Sequence, residues 1–336
     1  MQRYIDLIAK AYSDYANYLW YSITHPGWDN FFYWVLGVSL FFYILELTVP
    51  WRKDQPKVRK DFWLDLFYVF FNFFLFPLLL WQAGETIISA FYKDFVGLLG
   101  IENPVLFDIS ELPRWAYFFL LFIIADFLSW WVHRMLHRVP FMWEWHKVHH
   151  SVEQMGFAAH VRYHWMENVI YWSFRFIPLT IIGYNLVDIF AIHVFNMAWG
   201  HFNHSNISVP NKISAGVLGL IIGIMISLEY STGIYYSISI VLLTITASIL
   251  ILGPYMKKLF NSPEMHIWHH AKEIPNKYGV NFGLTLAIWD YIFRTAYWPF
   301  DGKDIPLGFP GVQKFPDTFL QQISYGFGKK NLKNKT

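Results

Sequence analysis

The sequence predicts an all-α, polytopic integral membrane protein: a helical bundle with a histidine-rich, metal-binding cap on its cytoplasmic side. Three observations predict it. The chain is 55% hydrophobic and only 15% charged, where a soluble domain carries about 25% charged residues. Several apolar runs approach the length of about 20 residues needed to cross a bilayer. Eight histidines gather in three boxes: His133-Arg-Met-Leu-His137, His146-Lys-Val-His149-His150 and His266-Ile-Trp-His269-His270.

Residues 4–24 read as an amphipathic helix lying at the interface, within an N-terminal segment 1–30. Phe31 to Val49 is the first span, and Pro50 ends it. The next loop holds Arg52, Lys53, Lys57, Arg59 and Lys60 against Asp54 and Asp61, so the positive-inside rule makes it cytoplasmic. Phe62 to Trp81 returns across the bilayer, with Asp65 expected at the interface. The connection from Gln82 to Arg114 leans acidic, through Glu85, Asp94, Glu102, Asp108 and Glu111, and belongs outside. Trp115 to Val132 crosses back, so the first two boxes emerge on the cytoplasmic side beside Arg134, Arg138 and Lys147.

Two apolar pairs follow. Residues 168–183 and 186–200 form a hairpin around Gly183-Tyr184-Asn185 and return the chain at His201 and His204. Residues 213–228 and 232–252 form a second hairpin around Glu229, with no histidine, and return it at Lys257 and Lys258. Gly216, Gly219 and Gly223 recur there at three- and four-residue spacing, a face suited to close helix packing. An even number of passes separates the clusters, so all three boxes can meet on one face. The membrane domain is expected over 31–300 and a loop-like tail over 301–336.

The boxes carry the chemistry. On a helix, residues three and four apart share a face, and neutral imidazole is the commonest metal ligand. One H-x-x-x-H alone is explained equally well as a hydrogen-bonded pair. Three boxes at one membrane edge are not, because ionisable groups there are costly and functional by default. Eight histidines exceed the four ligands of a tetrahedral zinc and suit two octahedral metals with open positions. Cysteine is absent, which removes disulfides, thiolate catalysis and cysteine-ligated iron–sulfur clusters. The net charge of +2 carries no nucleic-acid footprint.

The box pattern resembles the fatty acid hydroxylase/sterol desaturase superfamily of membrane di-iron oxygenases, and within it the sterol desaturase or alkylglycerol monooxygenase-like branch. Further segments carry the resemblance: Asp126-Phe-Leu-Ser-Trp-Trp-Val-His133, Arg162-Tyr-His164-Trp-Met-Glu167, His204-Ser-Asn206, Asn276-Lys-Tyr-Gly279 and Trp289-Asp290-Tyr-Ile-Phe293. It spans about residues 30 to 300. The chain departs from the pattern at Trp165, where proline is usual, and at the long hairpin 213–252.

The resemblance implies an oxygenase that hydroxylates or desaturates a lipid (a sterol, an ether lipid or an acyl chain) with two non-haem iron ions and dioxygen as co-substrate. It implies His133, His137, His146, His149, His150, His266, His269 and His270 as ligands, with His201 and His204 as further candidates. For His201 the alternative is a hydrogen-bonded interfacial histidine. His164 is expected beside the ligands rather than among them. Asp126, seven residues before His133, is expected either to hold an imidazole or to be a buried carboxylate satisfied by another helix. Asp290 is expected to do the same or to cap a turn. No flavin or nicotinamide fingerprint and no fused haem domain is present, so a separate electron donor must dock: a reductase, a ferredoxin or a cytochrome b5-like carrier. The second hairpin leaves room for an oligomer contact. A metal transporter or a bis-histidine haem electron carrier is the competing class. A transporter, however, holds its ligands at mid-membrane, and haem wants well-separated histidines within spans.

Overall fold

The computed structural model describes residues 2–27, 30–98, 100, 105, 107, 109, 111–230 and 233–327. Helices make up its regular structure, and no strand occurs among these residues. The expectations for Glu102, Asp108 and the end of the tail after 327 lie outside them, as do those resting on the side chains of Glu85 and Glu229.

Helix α1 (Gln2–Thr24) is the expected amphipathic segment. Helix α2 (Phe31–Thr48) starts at Asn30, whose side chain accepts from the Phe32 amide and satisfies one of the free N–H groups of the first turn. Helix α3 runs unbroken over residues 62–98. The expected connection from Gln82 is therefore helical as far as Leu98. Pro77 has no N–H to give an α-helical ladder, and two π-helical turns, Phe71–Leu75 and Pro77–Trp81, absorb the misfit. The part beyond the apolar run stays helical because α1 lies along it, through Arg3 to Asp94 at 2.9 Å and the Tyr12 hydroxyl to the Leu79 carbonyl at 2.8 Å.

Helix α4 (Arg114–Arg138) carries the first box on its last two turns, running on past Val132, where the apolar span is expected to end. Pro140 opens α5 (Pro140–His150), which carries the second. Helix α6 (165–182) and α7 (Leu186–His204) form the expected hairpin, with Gly183 at φ +121° in the turn. Its first helical position is Trp165, preceded by His164, which accepts the Met166 amide as N-cap. That first position is where proline is favoured, so a tryptophan substitutes there without breaking a backbone bond. Helices α8 (Asn211–Glu229) and α9 (Ile234–Leu259) form the second hairpin, and α10 (Pro263–His269) carries the third box. Two short helices close the chain, α11 (Ile288–Ile292) and α12 (Phe319–Ile323).

Among the described residues, five helices are long and apolar enough to cross a membrane: Phe31–Thr48, Phe62–Gly84, Arg114–Arg138, Asn211–Leu228 and Ile234–Leu259; the arms of the first hairpin, expected as passes, are not among them. The chain is thus an all-helical membrane protein. The tail expected to be loop-like is docked up to residue 327: Leu307, Phe309 and Val312 are buried, and Tyr68 donates to buried Gln322 at 3.0 Å.

Asp65, expected at the interface, is wholly buried. It bonds two guanidinium groups, those of Arg59 and Arg162, and Arg162 also reaches Asp61 at 3.2 Å. The loop before α3 supplies Arg59 and the segment before α6 supplies Arg162. A charge in the apolar run thereby becomes the junction that ties both segments to α3.

The small-residue face of α8 is spent inside its own hairpin. A Cβ added at Gly219 would lie 2.5 Å from the Thr244 carbonyl oxygen, and one at Gly223 would lie 2.7 Å from the Val241 Cα. Gly219→Leu should therefore splay the hairpin and destabilise the chain by about 1–3 kcal/mol, read as a lower melting temperature in detergent. Metal content should stay near that of the parent, because no histidine lies in the hairpin; loss of metal from folded protein would contradict this placement.

Candidate metal centre

The chain ends of α4, α5, α7 and α10 converge, and nine buried histidines meet there in two groups. His133, His137, His146, His150 and His269 form one; His149, His204, His266 and His270 form the other, with the possible ligand atoms of each group within 4.8 Å of one another. Each H-H doublet is divided between the groups. Successive helical residues differ by about 100° in direction, so His149 and His150 cannot face the same point, nor can His269 and His270.

Backbone carbonyls set the tautomers. A carbonyl only accepts, so the ring nitrogen facing it carries the proton. His133 Nδ1 donates to the Phe282 carbonyl at 2.8 Å, His269 Nδ1 to that of Val280 at 2.8 Å, His149 Nδ1 to that of Arg162 at 3.2 Å and His204 Nδ1 to that of Gly200 at 2.8 Å. His146 Nδ1 donates to Glu167 Oε2 at 2.8 Å. The Nε2 atoms of these rings are then lone-pair donors aimed inward.

Two of those lone pairs face each other, and other ring nitrogens crowd around them. His149 Nε2 and His204 Nε2 are 3.2 Å apart with both protons spent elsewhere, and His204 Nε2 is 3.1 Å from His266 Nε2. In the other group His269 Nε2 lies 3.0 Å from His150 Nε2 and 3.3 Å from His137 Nε2. His133 Nε2, His146 Nε2 and both nitrogens of His270 are buried with no hydrogen-bond partner. Adding protons does not resolve this: burial pushes the imidazole pKa down at His149, to about 3, and well down at His146, His150, His266, His269 and His270, with neighbouring imidazoles adding to the effect. Neutral rings that face lone pair to lone pair, as His149 and His204 do, repel unless a cation lies between them. A metal about 2.1 Å from each nitrogen would put adjacent ligands about 3.0–3.4 Å apart, the separations found. The residues fit a pair of metal ions with all-imidazole ligation.

The remaining candidates fall outside both groups. His201 binds Ser39 Oγ at 3.1 Å and His160 Nδ1 at 3.1 Å, the hydrogen-bonded alternative. His164 caps α6 and stacks on Trp145. Asp126 holds no imidazole: it accepts from the amides of Thr285 and Leu286 and from Trp289 Nε1, so another segment satisfies it. Asp290 caps the turn that delivers Phe282, accepting from the amides of Phe282 and Gly283, from Trp130 Nε1 and from Thr295. It thus positions the carbonyl that orients His133. Gly279, at φ +93°, is needed where it stands, since a Cβ there would lie 2.8 Å from His137 Nδ1.

Sequence reasoning missed Glu167 as the partner of His146, although it closes the segment that begins at Arg162. Burial pushes its carboxyl well up. Glu167→Gln should lower metal affinity about 10–100-fold while the protein stays folded, as measured by metal competition against a chelator. Unchanged affinity would show that Glu167 does not orient His146.

A fatty acid hydroxylase family model matches residues 118–216 and 209–295. The chain is 23% identical to ornithine lipid hydroxylase OlsE of Rhizobium tropici over 95% of its own length and 81% of that protein. It is 25% identical to human alkylglycerol monooxygenase over 75% of its own length, but spans only 44% of that protein, as it does of the zebrafish (Danio rerio) counterpart at 24% identity. No solved structure matches.

Proposed function

Because the chain belongs to the fatty acid hydroxylase family and is a lipid-modifying membrane oxygenase, we propose that it hydroxylates a membrane lipid at a centre of two non-haem irons. The observation that supports the metal is the pair of Nε2 lone pairs of His149 and His204, 3.2 Å apart with both ring protons held by backbone carbonyls. Iron held there supplies dioxygen activation and oxidation of an unactivated C–H bond. The eight box histidines and His204 are the proposed ligands, and His201 is left out. Soft metals have no thiolate here, and imidazole suits iron.

The chain's own residues do the rest. The carbonyls of Phe282, Val280, Arg162 and Gly200 fix ring direction before metal arrives. Glu167 keeps the His146 proton on Nδ1. Burial of all nine rings keeps bulk water from the reacting atoms. Hydroxylation is favoured over desaturation because the relatives are named as a hydroxylase and a monooxygenase. The centre faces the cytoplasm by loop charge, and a separate carrier delivers electrons there. Arg138 is exposed over the Tyr278 ring and Lys272 lies near the surface, whereas Lys147 is tied to Glu144 at 2.7 Å; Arg138 and Lys272 are therefore the cations offered to a carrier.

Lipid extracts of a deletion strain and of one complemented with the gene test the activity. The complemented strain should gain a lipid heavier by one oxygen atom, and a variant with His149→Ala should not. A reporter fused at Lys147 should read cytoplasmic. Identical lipid profiles in all three strains, with the protein present and iron-loaded, would overturn the assignment.

A further inference from the structure

Outside the metal centre, the buried guanidinium of Arg175 lacks hydrogen-bond acceptors among the described residues. Arg175 sits at the π-helical turn of α6 and is 5% exposed, yet its Nε and Nη2 atoms make no hydrogen bond. It rests against the ring face of Phe176, at 5.7 Å to the centroid. The carboxylate whose charge reaches it is Asp126, and both of that residue's oxygens are spent on Thr285, Leu286 and Trp289. A second orphan is linked to the same carboxylate through Thr285, which donates to both. Asn196 of α7 is 2% exposed; its Oδ1 accepts from Thr285 Oγ1, while its Nδ2 has no partner. Asn196 is one turn beyond His193, whose ring packs on Phe176 and which the Arg175 charge also reaches. So α6 and α7 each carry buried N–H donors, on Arg175 and Asn196, that no acceptor among the described residues meets. A buried guanidinium left unpaired costs several kcal/mol, and in a membrane protein such a group marks a site.

We propose that Arg175 and Asn196 hold the anionic group, a carboxylate or phosphate, of the lipid oxidised at the metal centre, an inference that rests on the oxygenase reading. Guanidinium presents paired N–H donors to such oxygens, and the amide adds a third. Position supports the link. Arg175 lies eight residues after Glu167 on one helix, about 12 Å at 1.5 Å per residue, and Glu167 holds His146. One lipid molecule can span that distance. The site would favour acidic lipids over neutral ones.

Lipid binding to the purified full chain, followed by native mass spectrometry in detergent, tests this without turnover. The probes are dioleoyl phosphatidate, dioleoylglycerol and inorganic phosphate. The parent protein should prefer phosphatidate to dioleoylglycerol at least about tenfold, and inorganic phosphate in large excess should not displace it. Arg175→Met should bring the preference within about threefold, with metal content unchanged, and Asn196→Leu should weaken it. Equal binding of the two lipids by the parent overturns the proposal even if neither variant folds. Retained preference in Arg175→Met overturns it as well, and displacement by inorganic phosphate would make this a free-anion site instead. Selective binding without any lipid oxidation would leave the anion site standing and sink the oxygenase reading alone.

Discussion

Alanine in place of His269 should strip iron from the five-histidine group and take lipid oxidation down by at least about 100-fold. His269 Nε2 lies 3.0 Å from His150 and 3.3 Å from His137, and its Nδ1 proton is fixed by the Val280 carbonyl at 2.8 Å. It is thus the member of its group whose lone pair is both aimed and shared most closely. No thiolate is present to replace it. The second group keeps its four histidines, so about half of the bound iron should survive, measured by metal analysis of the purified variant. His204→Ala should act on the other group and spare the first. His201→Ala should leave iron bound, since that ring is engaged with Ser39 and His160. Full iron and activity in the His269 variant would sink the ligand assignment.

Asp65→Asn should be the most damaging change outside the histidines. It leaves two guanidinium groups, Arg59 and Arg162, buried beside a neutral amide; both are at most 5% exposed. Removing one partner of a buried ion pair costs about 3–5 kcal/mol, and here one carboxylate serves two cations. The expected result is a large drop in melting temperature, or loss of folded protein from the membrane. The effect should reach the metal, because the Arg162 carbonyl orients His149. A variant that melts like the parent would show that Asp61, 3.2 Å from Arg162, suffices as counter-charge.

Particular residues show how far the sequence could be read. The five spans follow from apolar length, because every backbone N–H and C=O in lipid must be satisfied within its own helix. The three boxes were visible for a similar reason: imidazoles three and four apart share a helix face whatever surrounds them. Asp65 was misread, since its charge is local information while its two partners lie 6 and 97 residues away. Helix α3 was ended too early, because its last turns are held by α1 rather than by lipid.

The sequence by itself determined the class of the protein, the eight box histidines and the choice of nitrogen over sulfur for any metal. Only the tertiary structure decided how those histidines are divided. It splits each H-H doublet between two groups, brings His204 in and leaves His201 out. It also chooses each tautomer, through carbonyls of Phe282 and Val280 that stand 149 and 11 residues from the rings they hold. The physical reason is one of range. Helix periodicity and residue chemistry act between near neighbours, whereas ring direction and pairing are set by whatever backbone the fold packs against the ring.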